Sequence, residues 1–144
     1  MIRGLFDKGA LPTLERVVQF TAQRHIVLTD NIANLSTVGY RPRDLNPDSF
    51  QASLRRAIDE RRSRRNAVAG PLEPRDTRHV RFEKDRIVAL PRPVNNNVLF
   101  HDDNNRDLER TMQALAENTL VHNASLQMIA NQFEVMRVAI RERL

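Results

Sequence analysis

Four histidines, His25, His79, His101 and His122, are the side chains of this sequence best suited to metal binding or to acid–base work near neutral pH. Their spacing supports neither. None stands four residues from a second histidine, and there is no HExxH, no GxSxG, no phosphate-binding glycine loop and no paired-carboxylate arrangement. Asp30 and Glu117 are lone carboxylates in helical segments and read as solvated-face residues. The chain has no cysteine, which excludes a disulfide framework, a thiol nucleophile and a thiolate metal site. The residues therefore predict no catalytic site, no metal and no cofactor. Two of the histidines fall instead inside the apolar stripes of long helices, where a structural polar layer is the expected role.

Those stripes are the strongest signal in the chain. Leu11, Leu14, Val18, Thr21, His25, Leu28, Ile32 and Leu35 are spaced alternately three and four residues apart. That is a period of 3.5, the seam of a coiled coil rather than the broader stripe of a globular surface helix. Pro12 near the start suits the first helical turn, where a missing N–H costs nothing. Near the other end, Leu108, Met112, Leu115, Thr119, His122, Leu126, Ile129, Phe133, Met136 and Ile140 repeat the same spacing. Acidic residues at its start (Asp102, Asp103, Asp107, Glu109) and Arg137, Arg141 and Arg143 at its end complement a helix dipole.

Each seam is interrupted near its middle by one Thr and one His. If the helices pair antiparallel, facing residues have numbers summing to 143 or 144, and the register sets His25 against Thr119 and Thr21 against His122. A parallel register is also compatible with two heptads; it sets His25 against His122, which repel when both are charged. The antiparallel register is the chemically simpler one, within one subunit or between neighbours. Two helices alone bury little, and a contact between copies that fails to close generates a tube or filament.

The expected architecture is thus mainly α: two long terminal helices forming a coiled-coil-like pair, a short third helix, and an irregular, partly disordered basic middle in which a weak hairpin is one alternative. One domain is expected over 1–144, with a helix at 11–35, a connector at 36–47, a short helix at 48–62, a basic flexible segment at 63–97 and a helix at 105–143. Asp48 or Ser49 can cap the short helix, and Phe50, Leu54, Ala57 and Ile58 form one face. The hairpin alternative runs from His79 to Leu90 with its turn at Lys84-Asp85.

The net charge is +5, and ten Lys/Arg against four Asp/Glu between Arg61 and Asn97 place +6 in the middle segment alone. The excess therefore belongs to a connector, which favours solvated chain over a groove-entering basic helix. A nucleic-acid-binding or adaptor role for the 61–86 Arg cluster, Arg61, Arg62, Arg64 and Arg65 foremost, is the alternative reading. It lacks a stacking platform, because Phe82 is the one aromatic of that segment. No window of 18 apolar residues is present, and the charged first ten residues carry no apolar run, so neither a spanning helix nor a cleaved secretory signal is expected.

The end of the first stripe runs into a shaped turn. Asn31 and Asn34 lie on one helix face, where their amides can bond the departing backbone; Gly39 permits positive φ; Pro42 stops the helix from resuming. Asn31, Ile32, Ala33 and Asn34, followed by Thr37, Gly39 and Tyr40, resemble the N-terminal signature of bacterial flagellar rod and hook proteins, with Val38 where that family usually has Pro. Asn97-Val-Leu-Phe-His-Asp-Asp-Asn-Asn, Asp107-Leu-Glu-Arg-Thr-Met, Leu115-Ala-Glu-Asn118, Gln132-Phe133 and Arg137-Val-Ala-Ile140 are similar to its proximal-rod members.

The resemblance implies a non-enzymatic structural subunit of the flagellar basal body. It would assemble through its terminal helices into a tubular, periplasmic rod and contact other rod subunits, itself, the export apparatus and the basal membrane ring. It also implies export through the flagellar type III gate without a cleaved signal. Phe50-Gln-Ala-Ser-Leu54 matches the short Phe-x-x-x-hydrophobic gate signal of such substrates. No small-molecule ligand and no nucleic acid is expected under this reading. The assembly seam it implies comprises Leu14, Val18, Thr21, His25, Leu28 and Ile32 with Leu108, Met112, Leu115, Thr119, His122, Leu126, Ile129 and Phe133.

Overall fold

A computed structural model of the chain describes residues 9–63, 72–94 and 108–141. His101, Arg64 and Arg65, the remainder of the basic segment and the outermost residues of the expected last helix lie outside them. Three helices dominate: α1 (Leu11–Ala33), α2 (Pro47–Ser63) and α3 (Leu108–Arg141). Four short strands complete the order, β1 (Arg43–Asp44) before α2, and β2 (Val80–Phe82), β3 (Ile87–Ala89) and β4 (Arg92–Pro93) between α2 and α3. The mainly helical architecture and the packing of the two long helices against each other agree with the sequence.

The hairpin forms. β2 and β3 pair antiparallel with Val80 opposite Ala89 and Phe82 opposite Ile87, and Glu83 N–H bonds to the Arg86 carbonyl around Lys84-Asp85 at 2.9 Å. The alternation of the segment explains its burial: Val80 and Ile87 turn into the core while Arg81 faces water. The turn is held from α1, where Arg16 Nη2 donates to the carbonyls of Glu83 (3.0 Å) and Lys84 (2.7 Å) and Gln19 Nε2 to that of Asp85 (3.1 Å).

The short helix begins one residue earlier than its sequence suggests. Asn46 caps it, accepting the Ser49 N–H on Oδ1 at 3.0 Å, and Pro47 takes the first helical position, where its fixed φ fits and its missing N–H is no loss. Phe50, Leu54 and Ala57 are buried by this helix, against Phe20 of α1, Leu45, Leu72, Val80 and Ile87. Phe20 and Phe50 stack with ring centroids 4.1 Å apart, and Phe82 adds a third ring 6.0 Å from Phe50. Burial of such rings contributes about 1.5–3 kcal/mol each, so this small aromatic stack anchors the module of α2 and the hairpin on α1.

α1 accordingly has two buried faces. Val17, Phe20 and Val27 look into the core, and Thr21 and Leu28 look toward α3. The pattern is broader than the single 3.5-period seam, because the core contributes its own stripe beside it. α3 has no second partner of that kind: of its 34 residues only Asn118 and Ser125 are buried.

Candidate assembly interface

The connector sets the position of everything after α1. Asn31, buried at the end of the helix, donates from Nδ2 to the Arg43 carbonyl at 2.6 Å and accepts the Arg43 N–H on Oδ1 at 3.0 Å. One side chain thereby serves both backbone groups of Arg43, which in turn starts β1, paired antiparallel with β4. The Tyr40 hydroxyl lies 3.0 Å from Asn31 Oδ1 and 3.2 Å from Asp30 Oδ2. Partial burial, then the Asp30 carboxylate, raises the Tyr40 pKa above its ordinary value, against a smaller opposing pull from Arg43.

Asn34 closes the helix with its backbone N–H (3.1 Å) and Nδ2 (2.9 Å) on the Asp30 carbonyl. Thr37 N–H bonds to the Asn34 carbonyl at 2.9 Å, and Gly39 follows at φ +74°, a conformation that a side chain would strain. Ile32 is half-buried, Ala33 exposed and Val38 fully outward, so this stretch is a backbone device with one buried amide rather than an apolar plug.

A second clamp fixes β1 from the middle of α1. Arg24 donates from Nε to Asp44 Oδ1 (2.9 Å) and from Nη2 to Asp44 Oδ2 (2.8 Å), and Asp44 Oδ1 also accepts the Leu45 N–H at 2.7 Å. This two-pronged, largely buried pair binds the turn to the helix face twenty residues earlier. Neither residue carries an apolar signal, which is why the pair was invisible in the sequence.

α1 and α3 run antiparallel. A cleft of about 520 Å³ is walled by Leu28 and Asn31 from the last turns of α1 and by Arg110, Thr111 and Ala114 from the first turns of α3. At the centre, Thr21 Oγ1 lies 2.8 Å from His122 Nδ1, and Asn118 Nδ2 donates to the Thr21 carbonyl at 2.9 Å. The Thr21 hydroxyl is also 2.9 Å from the Val17 carbonyl. A hydroxyl donating to that carbonyl accepts from an Nδ1–H tautomer of His122, satisfying both groups.

His25 and Thr119 make no such pair. His25 is exposed, and the Thr119 hydroxyl bonds back to the Leu115 carbonyl at 2.8 Å. The rotation of α3 explains both. The row Leu115, His122, Ile129 and Met136 is half-buried, and its buried companion is the small polar row of Thr111, Asn118 and Ser125. Thr111 is half-buried, and the Ser125 hydroxyl bonds to the Val121 carbonyl at 2.8 Å. The alternate seam row, Met112, Leu126, Phe133 and Ile140, faces outward, as does Leu108. On α1, Thr21 and Leu28 are buried and Leu14, Val18 and Ile32 half-buried.

Apolar groups cover the rest of α3 as well. Leu120 and Val135 are 73% and 65% exposed, and Val121, Met128 and Val138 are also outward. A 34-residue helix so wrapped in exposed aliphatic side chains is the signature of a contact surface. Some arginines of the middle segment, by contrast, are engaged internally, while Arg62, Arg78 and Arg81 are exposed. Arg61 is buried, Arg75 pairs with Glu60 at 3.1 Å and Arg86 with Glu83 at 2.6 Å. Phe50 and Leu54 are core residues. Among the described residues no three His, Asp or Glu gather as a metal ion requires, and no helix is long and apolar enough to cross a membrane.

Comparison with known proteins gives a consistent result. The chain is 25% identical to the flagellar basal body rod protein FlgB of Yersinia enterocolitica over 147 residues, 96% of this chain and 99% of that protein. It is 29% identical to that of Escherichia coli K12 over 143 residues, 92% of this chain and 94% of the relative. The FlgB of Yersinia ruckeri matches at 25% over the same span as the first. No protein-family model matches. The similarity to rod proteins expected from the connector motif thus extends along nearly the whole chain, and these relatives are named for a structure rather than a reaction.

Proposed function

We propose that this chain is a structural subunit of the proximal flagellar rod, which assembles through its long helices into a tubular axial structure. One observation carries the reading: α3 leaves apolar side chains exposed on every face but the one against α1. The full-length similarity to rod proteins supports it. Met112, Leu126, Phe133 and Ile140 form the row that neighbouring subunits would cover, while Leu115, His122 and Ile129 complete the pairing within the subunit.

Other rod subunits, further copies of the chain, the export apparatus and the basal membrane ring are the partners under this reading, and the periplasmic rod is its place. Export through the flagellar gate fits a constraint of the fold. Phe50 and Leu54 are buried, so a gate signal built on them is legible only before the chain folds.

The test is electron microscopy of the purified chain mixed with the other rod subunits of the same basal body. Tubes containing the chain, lost when Val135→Glu places a charge on the exposed face, are expected. Mixtures that stay monomeric under all conditions of salt and concentration contradict the proposal.

A further inference from the structure

The side of α1 turned away from α3 carries a groove of about 440 Å³ along the last turns of the helix. Thr21 and Leu28 are buried toward α3, and helical spacing sets Ile26 and Ala33 on the opposite side. Ile26, Val27 and Ala33 line the groove with Pro91, which precedes β4. Ile26 is 61% exposed there. Asp30 and Arg43 supply its charges.

The acid is the more telling of the two. Asp30 Oδ1 accepts from Asn34 Nδ2 and its Oδ2 from the Tyr40 hydroxyl, each at 3.2 Å, and both donors are neutral. The last turn of α1 carries no basic residue. A carboxylate at the negative end of a helix dipole, with no basic side chain in the same turn, favours a cation from outside. An apolar groove beside such an acid fits an aliphatic helix face that carries arginine.

The far half of α3 has that face. Leu126, Ala130 and Val138 share one side of the helix with Arg137 and Arg141, and all five are exposed. Glu134 stands beside them, 3.3 Å from Arg137, and both of these side chains are more than half exposed, so the pair opens at little cost. The signs match across the two surfaces: an arginine of α3 for Asp30, and Glu134 for Arg43.

These surfaces lie at opposite ends of the same helix pair. Thr21 meets His122, and from there α3 runs about 28 Å to Arg141 along the first half of α1 and away from the groove. The groove lies beyond Thr21 in the other direction, so the two cannot meet within one chain.

We infer that the groove at the end of α1 takes the distal end of α3 from a second copy of the chain. The contact is head to tail. Each copy that donates its helix still offers its own groove, so the contact extends an array rather than closing a dimer. The inference rests on the reading of α3 as the assembly surface and deepens it by giving that helix a docking place.

Crosslinking of full-length chains tests it, because the chain has no native cysteine among the described residues or elsewhere in the sequence. One copy carries Ile26→Cys and the other Val138→Cys; both positions are exposed, where substitutions cost little stability. A short bismaleimide is expected to join them at least about tenfold faster than it joins Ile26→Cys to Val121→Cys, on another face of α3. Adding Asp30→Arg to the first copy is expected to slow the reaction about tenfold, and Arg137→Glu with Arg141→Glu in the second copy to restore it. A rate no faster than the Val121 control overturns the inference, and this comparison decides even if the charge variants do not fold. Tubes that form with other rod subunits without this crosslink overturn the inference and leave the rod reading standing. The crosslink in a chain that forms no tubes supports the contact and counts against the rod reading alone.

Discussion

Thr21 and His122 meet 2.8 Å apart, across 101 positions of sequence, at the point where the two long helices cross from apolar to polar packing. Asn118 reinforces the contact one turn away by bonding to the carbonyl of the same threonine at 2.9 Å. The pair fixes register: sliding α3 by one heptad would set an aliphatic side chain against the hydroxyl and leave the imidazole without its partner.

Removing either member of that pair is expected to destabilise the chain by about 1 kcal/mol, and a Thr21→Val, His122→Leu double-mutant cycle should show positive coupling of about 0.5–1.5 kcal/mol. Denaturant unfolding of the four proteins measures it. Strict additivity would show that the contact does not specify the pairing.

Asn118→Leu should cost more than its apolar gain suggests. It removes the donor to the Thr21 carbonyl and forces a larger side chain into a position that is 3% exposed. A loss of about 1–3 kcal/mol is expected in chemical denaturation. Asn123→Leu, on the exposed side of the same helix, serves as the control and should stay within about 0.5 kcal/mol.

Breaking the Arg24–Asp44 clamp on one side should be among the most damaging single changes. Asp44→Asn leaves Arg24, whose side chain is 11% exposed, without its counter-charge. A cost of about 3 kcal/mol is expected from thermal or denaturant unfolding. Replacing both residues with apolar ones of similar volume should recover much of it.

Tyr40 supplies a pH test of the connector. Its pKa is raised in the folded chain, by burial first and the Asp30 carboxylate second, so folding favours the neutral phenol. Stability from this group is fully present below the unfolded phenol value and declines as pH rises through the folded value. The window lies above about pH 10. Tyr40→Phe should flatten the loss of stability in that alkaline range, which pH-dependent unfolding between neutral and alkaline conditions would record.

Much of this arrangement was legible because aliphatic spacing is a strong signal. Leu14, Val18 and Leu28 announced one face of α1, and Val80 and Phe82 announced a strand with its turn at Lys84-Asp85. The rotation of α3 was not legible. Thr111, Asn118 and Ser125 are small and polar, so they read as a wet row although two of them are buried. The second face of α1 was likewise hidden, because Phe20 finds its partner in Phe50 thirty residues away. Arg24 and Asp44 looked like ordinary surface charges until the turn brought them together, and Arg61 looked like part of a solvated cluster until α2 buried it against Gly9.

The central claim is that the exposed length of α3 is completed only by neighbouring subunits. Beyond Ser125 the helix has half-buried Ile129 and Met136 but otherwise exposed side chains, and such a segment opens easily on its own. Hydrogen exchange over Leu126–Ile140, measured in verified monomer and in assembled tubes, tests this directly. Weak protection in the monomer that rises at least a hundredfold on assembly is the expected result, with little change over Phe20, Phe50 and Val80. Strong protection of that segment in the monomer, unchanged by assembly, would contradict the account.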